Sequence, residues 1–273
     1  MAYCYFCDIN RMKKIIYLPL LWIAACQPNE KAAEISVVKT PDQQMTDAIK
    51  TYPDSSLLKE NLAQYYRENN KYGLAISVVS DVLAKDSGNA RFWDIKATLQ
   101  LENGDTVAAV RSFEKSIDLN PLPEVVISLG VLYAQTRNPL ALGIADGLMQ
   151  ASKAAAEKEA LFIKGLYYSY IGDKSKAVTL FDQCIALNYT FMEAHREKGV
   201  ALYEAEKYEE AYKALDKAVT IQNNFDEGYY FMGRCLEKLN KPVEAIQMYE
   251  RALLYDPNYI EAKNALAKLG VKS

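Results

Sequence analysis

Between Asp226 and Pro257 the chain reads DEGYYFMGRCLEKLNKPVEAIQMYERALLYDP, with apolar positions recurring every three or four residues in two runs separated by Asn240-Lys241-Pro242. That period predicts two amphipathic helices joined by a short turn. Tyr229, Met232, Leu236, Tyr249 and Ala252 fall in the apolar stripes, while Gly233 and Ala245 are small where the two helices must approach closely. A single helical hairpin cannot bury its stripe alone, so it must stack on a neighbour.

The neighbours are visible at intervals of 34 residues: Gly233 is preceded by Gly199 and Gly165, Ala245 by Ala211 and Ala177, and Tyr249 by Leu215 and Phe181. Spacing and residue types resemble the tetratricopeptide repeat, whose eight signature positions are matched by Tyr229, Met232, Gly233, Leu236, Ala245, Tyr249, Ala252 and Pro257. The resemblance implies an all-α fold, a right-handed superhelical solenoid of about six helical hairpins with helical caps.

In chain order, residues 41–55 read as a capping half-repeat ending at Pro53, 56–258 as the repeat array, and 259–273 as a capping helix with Ile260, Ala262, Leu266 and Leu269 turned inward. The first two repeats start near Ser56 and Ala90; in the second, Gln100 stands where an apolar residue is expected, leaving Leu99 or Leu101 to supply the packing. The third, from about Pro123, is irregular: Gly130 and Gly165 are 35 residues apart, and its second helix contains Gly143 and Gly147. Interior glycines each cost up to about 1 kcal/mol relative to alanine, so this hairpin is expected to be the softest. Repeats four to six follow from Lys158, Met192 and Asp226, with Lys164 and Lys198 at a position that favours large apolar residues and where a lysine stem can lie on apolar surface.

Ahead of the array, residues 12–25 combine two lysines, a short apolar run and small residues, the layout of a secretory signal too short to span a bilayer. Ile23-Ala24-Ala25-Cys26 resembles a bacterial lipobox, which implies acylation at Cys26, and residues 26–40 read as the lipidated cysteine and a polar tether. The resemblance places the chain in the bacterial cell envelope, lipid-anchored at an outer membrane and facing the periplasm. Residues 1–11 precede the positive end of that signal and read as a start-site artefact; their Cys4-x-x-Cys7 lacks a second pair to make a metal or redox site.

Half of the residues are hydrophobic, a quarter are charged and the net charge is −3, so there is no basic stripe of the kind that nucleic acid requires. No phosphate loop, HExxH or GxSxG occurs. His195, the one histidine, falls on an aromatic signature position and reads as a packing residue, and Cys184 and Cys235 read as small buried apolar groups. No catalytic residue, metal ligand or cofactor site is predicted. The 20 tyrosines against 8 phenylalanines suit half-buried solenoid positions and binding surfaces alike.

In the family that the repeats resemble, first helices line a concave groove that holds ligands. Placed on that geometry, Phe162, Leu166, Tyr170, Arg196, Val200, Tyr203, Tyr230 and Arg234 face the groove. Tyrosines with arginines make a surface suited to a protein or peptide. The Lys, Asn and Arg set with which a known subclass clamps chaperone tails is absent, and Glu60, Gln64, Arg67, Asp94, Thr98 and Glu102 make the N-terminal half polar, a rim or an unliganded surface. The expectation is a non-catalytic adaptor holding a peptide or helix of another envelope protein. The alternative is a structural, self-assembling solenoid, a homo-oligomer formed through convex or end faces.

Overall fold

The computed structural model describes residues 39–151 and 153–271. The signal segment, Cys26 and nearly all of the tether lie outside the described residues. Thr40–Ser273 forms one compact unit. Its helices are α1 (Pro41–Thr51), then the hairpins α2 (Ser56–Glu68)/α3 (Tyr72–Lys85), α4 (Ala90–Glu102)/α5 (Thr106–Leu119), α6 (Pro123–Gln135)/α7 (Leu140–Ala151), α8 (Lys153–Tyr170)/α9 (Lys174–Leu187), α10 (Met192–Glu204)/α11 (Tyr208–Ile221) and α12 (Asp226–Lys238)/α13 (Pro242–Tyr255), and last α14 (Ile260–Lys268). No strand occurs among the described residues. This is an all-helical, superhelical solenoid of hairpins.

The last three hairpins are each closed by a glycine facing a large residue. A Cβ on Gly165 would lie 2.6 Å from the Phe181 ring, on Gly199 2.6 Å from Leu215, and on Gly233 2.6 Å from the Tyr249 ring. Phe181, Leu215 and Tyr249 are fully buried as a result. The intrahairpin turns take a left-handed residue at Asn70, Gly104, Arg137, Gly172, Glu206 and Asn240. The side chains of Ser55, Asn89, Asp105 and Asp173 accept hydrogen bonds from backbone N–H groups of the first turn that follows, satisfying donors a helix start leaves open.

Junctions between hairpins repeat their own devices. The Trp93 Nε1–H donates to the Ser87 carbonyl (2.9 Å), the Tyr229 hydroxyl to the Asn223 carbonyl (3.1 Å), and His195 Nε2 meets the Tyr189 carbonyl at 2.9 Å. All three occupy the same place in their repeats and reach back six residues. Ser116 Oγ bonds the Ala90 carbonyl (2.9 Å) and Cys184 Sγ the Lys158 carbonyl (3.5 Å), again in one register. Lys198 and Lys164 pass their stems along the packed surface and pair at 2.6 Å with Asp182 and Asp146 on the second helix of the preceding hairpin.

Of the two leucines beside Gln100, Leu99 is buried and supplies the packing while Leu101 is exposed, and Gln100 accepts a hydrogen bond from Ser112 (2.7 Å). Two details differ from the sequence reading. Ile260 is 67% exposed, because it opens α14 ahead of the turn that docks, while Ala262, Ala265 and Leu266 are buried. The fourth repeat starts before Lys158: α8 begins at Lys153 and has 18 residues where other first helices have 13. The connection between α5 and α6, residues 120–122, is one residue shorter than that between α9 and α10, residues 188–191. The missing residue comes before the third repeat, and the turn within it, residues 136–139, is one residue longer than the other intrahairpin turns.

Candidate binding groove

At two junctions, α2 with α4 and α10 with α12, neighbouring first helices are bridged side to side. Arg91 on α4 pairs with Glu60 on α2 at 2.5 Å, Arg67 on α2 forms a two-pronged ion pair with Glu102 on α4, and Arg196 on α10 pairs with Glu227 on α12 at 3.1 Å. This face carries Tyr170, Arg196, Val200, Tyr203, Tyr230 and Arg234. Arg196, Val200 and Tyr203 follow one another at helical spacing on α10 and are half-buried, so they share one side of it.

Phe162 and Leu166 are corrected. Phe162 is 9% exposed and Leu166 1%, and neither lines an open groove. Phe162 packs its ring against Phe181 (5.9 Å) and Phe191 (5.0 Å), joining α9 to the loop before α10. In the fourth repeat these positions belong to the core.

The two arginines are not equivalent. Arg196 bonds Glu197 (2.6 Å) and Glu227 (3.1 Å), and its Nε is buried without a partner. Glu197 is itself buried, at 8% exposed. Desolvation raises the Glu197 carboxyl above its ordinary value against the opposing pull of Arg196, with Glu227 and Glu204 adding like charge. An arginine held between two carboxylates is a tie between repeats. Arg234 has no carboxylate partner among the described residues; its guanidinium lies 4.8 Å from the centre of the Tyr203 ring and 5.9 Å from that of Tyr230. Half-buried and stacked against two tyrosines, it keeps its charge beside the groove.

Around Arg234 the tyrosines form a connected wall. Tyr203 contacts Tyr208 (5.5 Å) and Phe231 (5.9 Å), and Tyr230 contacts Phe231 (5.5 Å), Tyr249 (5.8 Å) and Tyr259 (5.1 Å). Burial raises the Tyr203 and Tyr259 hydroxyls above the ordinary phenol value, and Tyr170, 40% exposed, is raised by burial and then by the Glu197 charge. These phenols stay protonated donors across the physiological range. Glu237 on α12 accepts a hydrogen bond from the Tyr249 hydroxyl.

Sequence reasoning missed Glu197, Glu227, Phe231 and Tyr259. Glu227 had a legible signal, since it stands 31 residues after Arg196 just as Arg91 follows Glu60. Tyr259 had none, because it belongs to the loop before the cap.

The polar N-terminal half is a lined depression. Glu60, Asn61, Gln64, Arg67, Asp94 and Thr98 are among the residues around a cavity of about 400 Å³ between α2 and α4. A second of about 340 Å³ adjoins it, with Arg91, Asp94, Ser116 and Glu124 on its wall.

His195 is 4% exposed and meets a backbone carbonyl; Cys184 and Cys235 are buried free thiols, each pushed up to about 12 by burial. Among the described residues no group of three or more His, Cys, Asp or Glu side chains is placed to hold a metal ion, and no helix is long and apolar enough to cross a membrane.

Family models described as tetratricopeptide repeat match residues 60–122 and 164–227 in one case and 202–269 in another, together more than half of the chain. A tetratricopeptide repeat-containing protein of Caenorhabditis elegans, trd-1, is 31% identical over 103 residues, 37% of this chain and 13% of that protein. The human mitochondrial import receptor subunit TOM70 is 24% identical over 225 residues, 78% of this chain and 36% of that protein. The chain thus spans well under half the length of these curated relatives. Among solved structures, a tetratricopeptide repeat protein from Parabacteroides merdae superposes with a TM-score of 0.73 at 18% identity, covering 84% of this chain and 91% of that one.

Proposed function

This chain belongs to the tetratricopeptide repeat family, and on that premise we propose that it is a non-catalytic adaptor whose groove holds a peptide or helix of another protein of the bacterial envelope. Proteins of this family generally serve as protein-interaction scaffolds. The observation that carries the reading is the half-buried cluster of Tyr203, Tyr230 and Arg234, an aromatic wall around a guanidinium with no carboxylate of its own. Tyrosine and arginine are enriched among the few residues that dominate binding energy at protein interfaces. Tyr170 extends the cluster toward the middle repeats, and Arg196 positions α10 against α12.

The envelope location rests on residues 12–26. Acylation at Cys26 would anchor the array through buried methylenes worth about 0.8 kcal/mol each, and the polar residues up to position 40 would hold it clear of the lipid. Mass spectrometry of the purified protein reads this directly: a mature N-terminus at an acylated Cys26 agrees, and an unmodified Cys26 within an intact leader contradicts it.

The adaptor role is tested by crosslinking in native envelopes, comparing wild type with Tyr230→Ala/Arg234→Ala. Loss of a partner in the double variant, with an unchanged circular dichroism spectrum, agrees with the groove. The same partners in both contradict it. Assembly of copies through their ends is the second reading, favoured by exposed Leu254 and Ile260 beside the cap, and a mass by light scattering that rises with concentration would support it.

A further inference from the structure

One acid is buried beside the groove at a place where the neighbouring repeats are apolar. Glu197 on α10 is 8% exposed, and the residues 34 positions before and after it are the buried Ile163 on α8 and the half-buried Phe231 on α12. Packing at this place therefore does not call for an acid, and a carboxylate taken out of water is costly unless it is paired and fully hydrogen-bonded. The compensation is incomplete. Glu197 accepts a hydrogen bond from Arg196 Nη2 at 2.6 Å, but the same guanidinium is shared with Glu227 through Nη1 at 3.1 Å, and its Nε is buried without a partner.

The charges around Glu197 do not balance. Facing it are Arg196 and Glu204 on its own helix, Tyr170 on α8, Lys174 at the start of α9 and Glu227 on α12. Lys174 is taken by Glu204 in an ion pair, so Arg196 serves both of the remaining carboxylates. Burial, with the Glu227 and Glu204 charges behind it, outweighs the pull of Arg196 and raises the Glu197 carboxyl above its ordinary value of 4.5. The folded chain thus takes up this proton at a higher pH than the unfolded chain does, and stability at this site rises as pH falls toward 4.5. The Arg196 side chain is 31% exposed and so reaches the groove as well as the buried acid.

Resting on the reading that the groove takes a peptide, we propose that Glu197 is a proton switch on that groove: ionised, it holds Arg196 Nη2, and protonated, it yields those donors to an acceptor oxygen of the bound segment, so that binding tightens as pH falls. Arg196 keeps Glu227 through Nη1 in both states, so α10 and α12 retain their register and only one edge of the guanidinium changes partner. A hydrogen bond from a charged donor strengthens the complex only in the protonated state, which couples proton uptake to partner binding.

The test uses peptides selected on the full chain from a random library lacking histidine. Affinity is measured by fluorescence polarisation between about pH 8 and pH 5 for wild type, Glu197→Gln, Glu197→Ile and Tyr230→Ala/Arg234→Ala, beside melting temperatures without peptide. Wild-type affinity should rise by roughly tenfold on acidification, as for one charge-assisted hydrogen bond gained. Glu197→Gln, a permanent stand-in for the protonated acid, should bind at both ends of the range within about twofold of the wild-type acid value. Without peptide, wild type should gain melting temperature relative to both Glu197 variants as pH falls, and His195, common to all three chains, cancels from the differences. Glu197→Ile carries the residue of the preceding repeat and keeps the comparison if the glutamine variant fails to fold. Affinity profiles that run parallel in wild type and the Glu197 variants overturn the switch, and loss of the same peptides in Tyr230→Ala/Arg234→Ala leaves the groove standing. Parallel melting profiles overturn proton uptake at Glu197 whatever the peptides do. Peptides indifferent to Tyr230→Ala/Arg234→Ala, or no selected peptide, overturn the groove reading and the binding half of the switch with it.

Discussion

A methyl group on Gly233 would meet the buried Tyr249 ring at 2.6 Å, and one on Gly199 would meet Leu215 at the same distance. Gly143 and Gly147 are exposed on α7 with nothing within 4 Å of an added Cβ. Identical substitutions at the two kinds of site should therefore have opposite signs. Gly233→Ala should destabilise by about 1–3 kcal/mol through overpacking, whereas Gly143→Ala and Gly147→Ala should each stabilise by up to about 1 kcal/mol through helix propensity. Urea midpoints of the three variants decide this. His195 supplies a second prediction. Its Nε2 meets the Tyr189 carbonyl, and burial holds the ring below its ordinary pKa of 6.5. The unfolded chain takes up this proton near that value while the folded chain resists, so the contribution is whole above about pH 6.5 and is lost as pH falls through the folded value. His195→Phe should cost about 1 kcal/mol at neutral pH by orphaning the carbonyl. It should also fall less steeply in melting temperature than wild type between about pH 7 and pH 5.

At the scale of elements, the hairpins were legible because one constraint recurs: a small residue must face a large one across each hairpin. Gly165, Gly199 and Gly233 announce it in the sequence, and their spacing alone places α8, α10 and α12. The irregular third repeat was legible only in part. The 35-residue interval from Gly130 to Gly165 was visible, but not that the connection before α6 is a residue short, that the turn after α6 is a residue long, or that α8 begins at Lys153. Helical propensity is nearly indifferent among the alanines there, so the boundary is set by packing of α8 on α6 and α7. The short, glycine-bearing α7 should open more readily than α9. Amide exchange in Leu140–Ala151 should be faster than in Lys174–Leu187 by roughly tenfold or more, as expected for a locally weaker unit. Equal protection in the two helices would contradict it.

Across the whole array, the candidate groove was half legible. Positions copied from one repeat to the next locate Tyr203, Tyr230 and Arg234 on the first-helix face, but copying also placed Phe162 and Leu166 there. Both are buried, and Phe191 from the following loop packs on Phe162. Register identifies a face; which residues stay open on it depends on loops whose sequences do not repeat. Arg196 makes the same point, since its charge is taken up by Glu197 and Glu227, whereas Arg234, the other groove arginine, has no carboxylate partner among the described residues. The central claim is that a partner sits against the Tyr203, Tyr230 and Arg234 cluster. The most direct measurement replaces one residue at a time with a photo-crosslinking amino acid, at Tyr203 or Tyr230 in the groove and at the exposed Val243 on α13 or Ile260 on α14. Crosslinks from both tyrosine positions to one other protein, and none to it from Val243 or Ile260, are the predicted result. Crosslinks to that protein only from Val243 or Ile260, or from every position only to a second copy of this chain, would contradict the account.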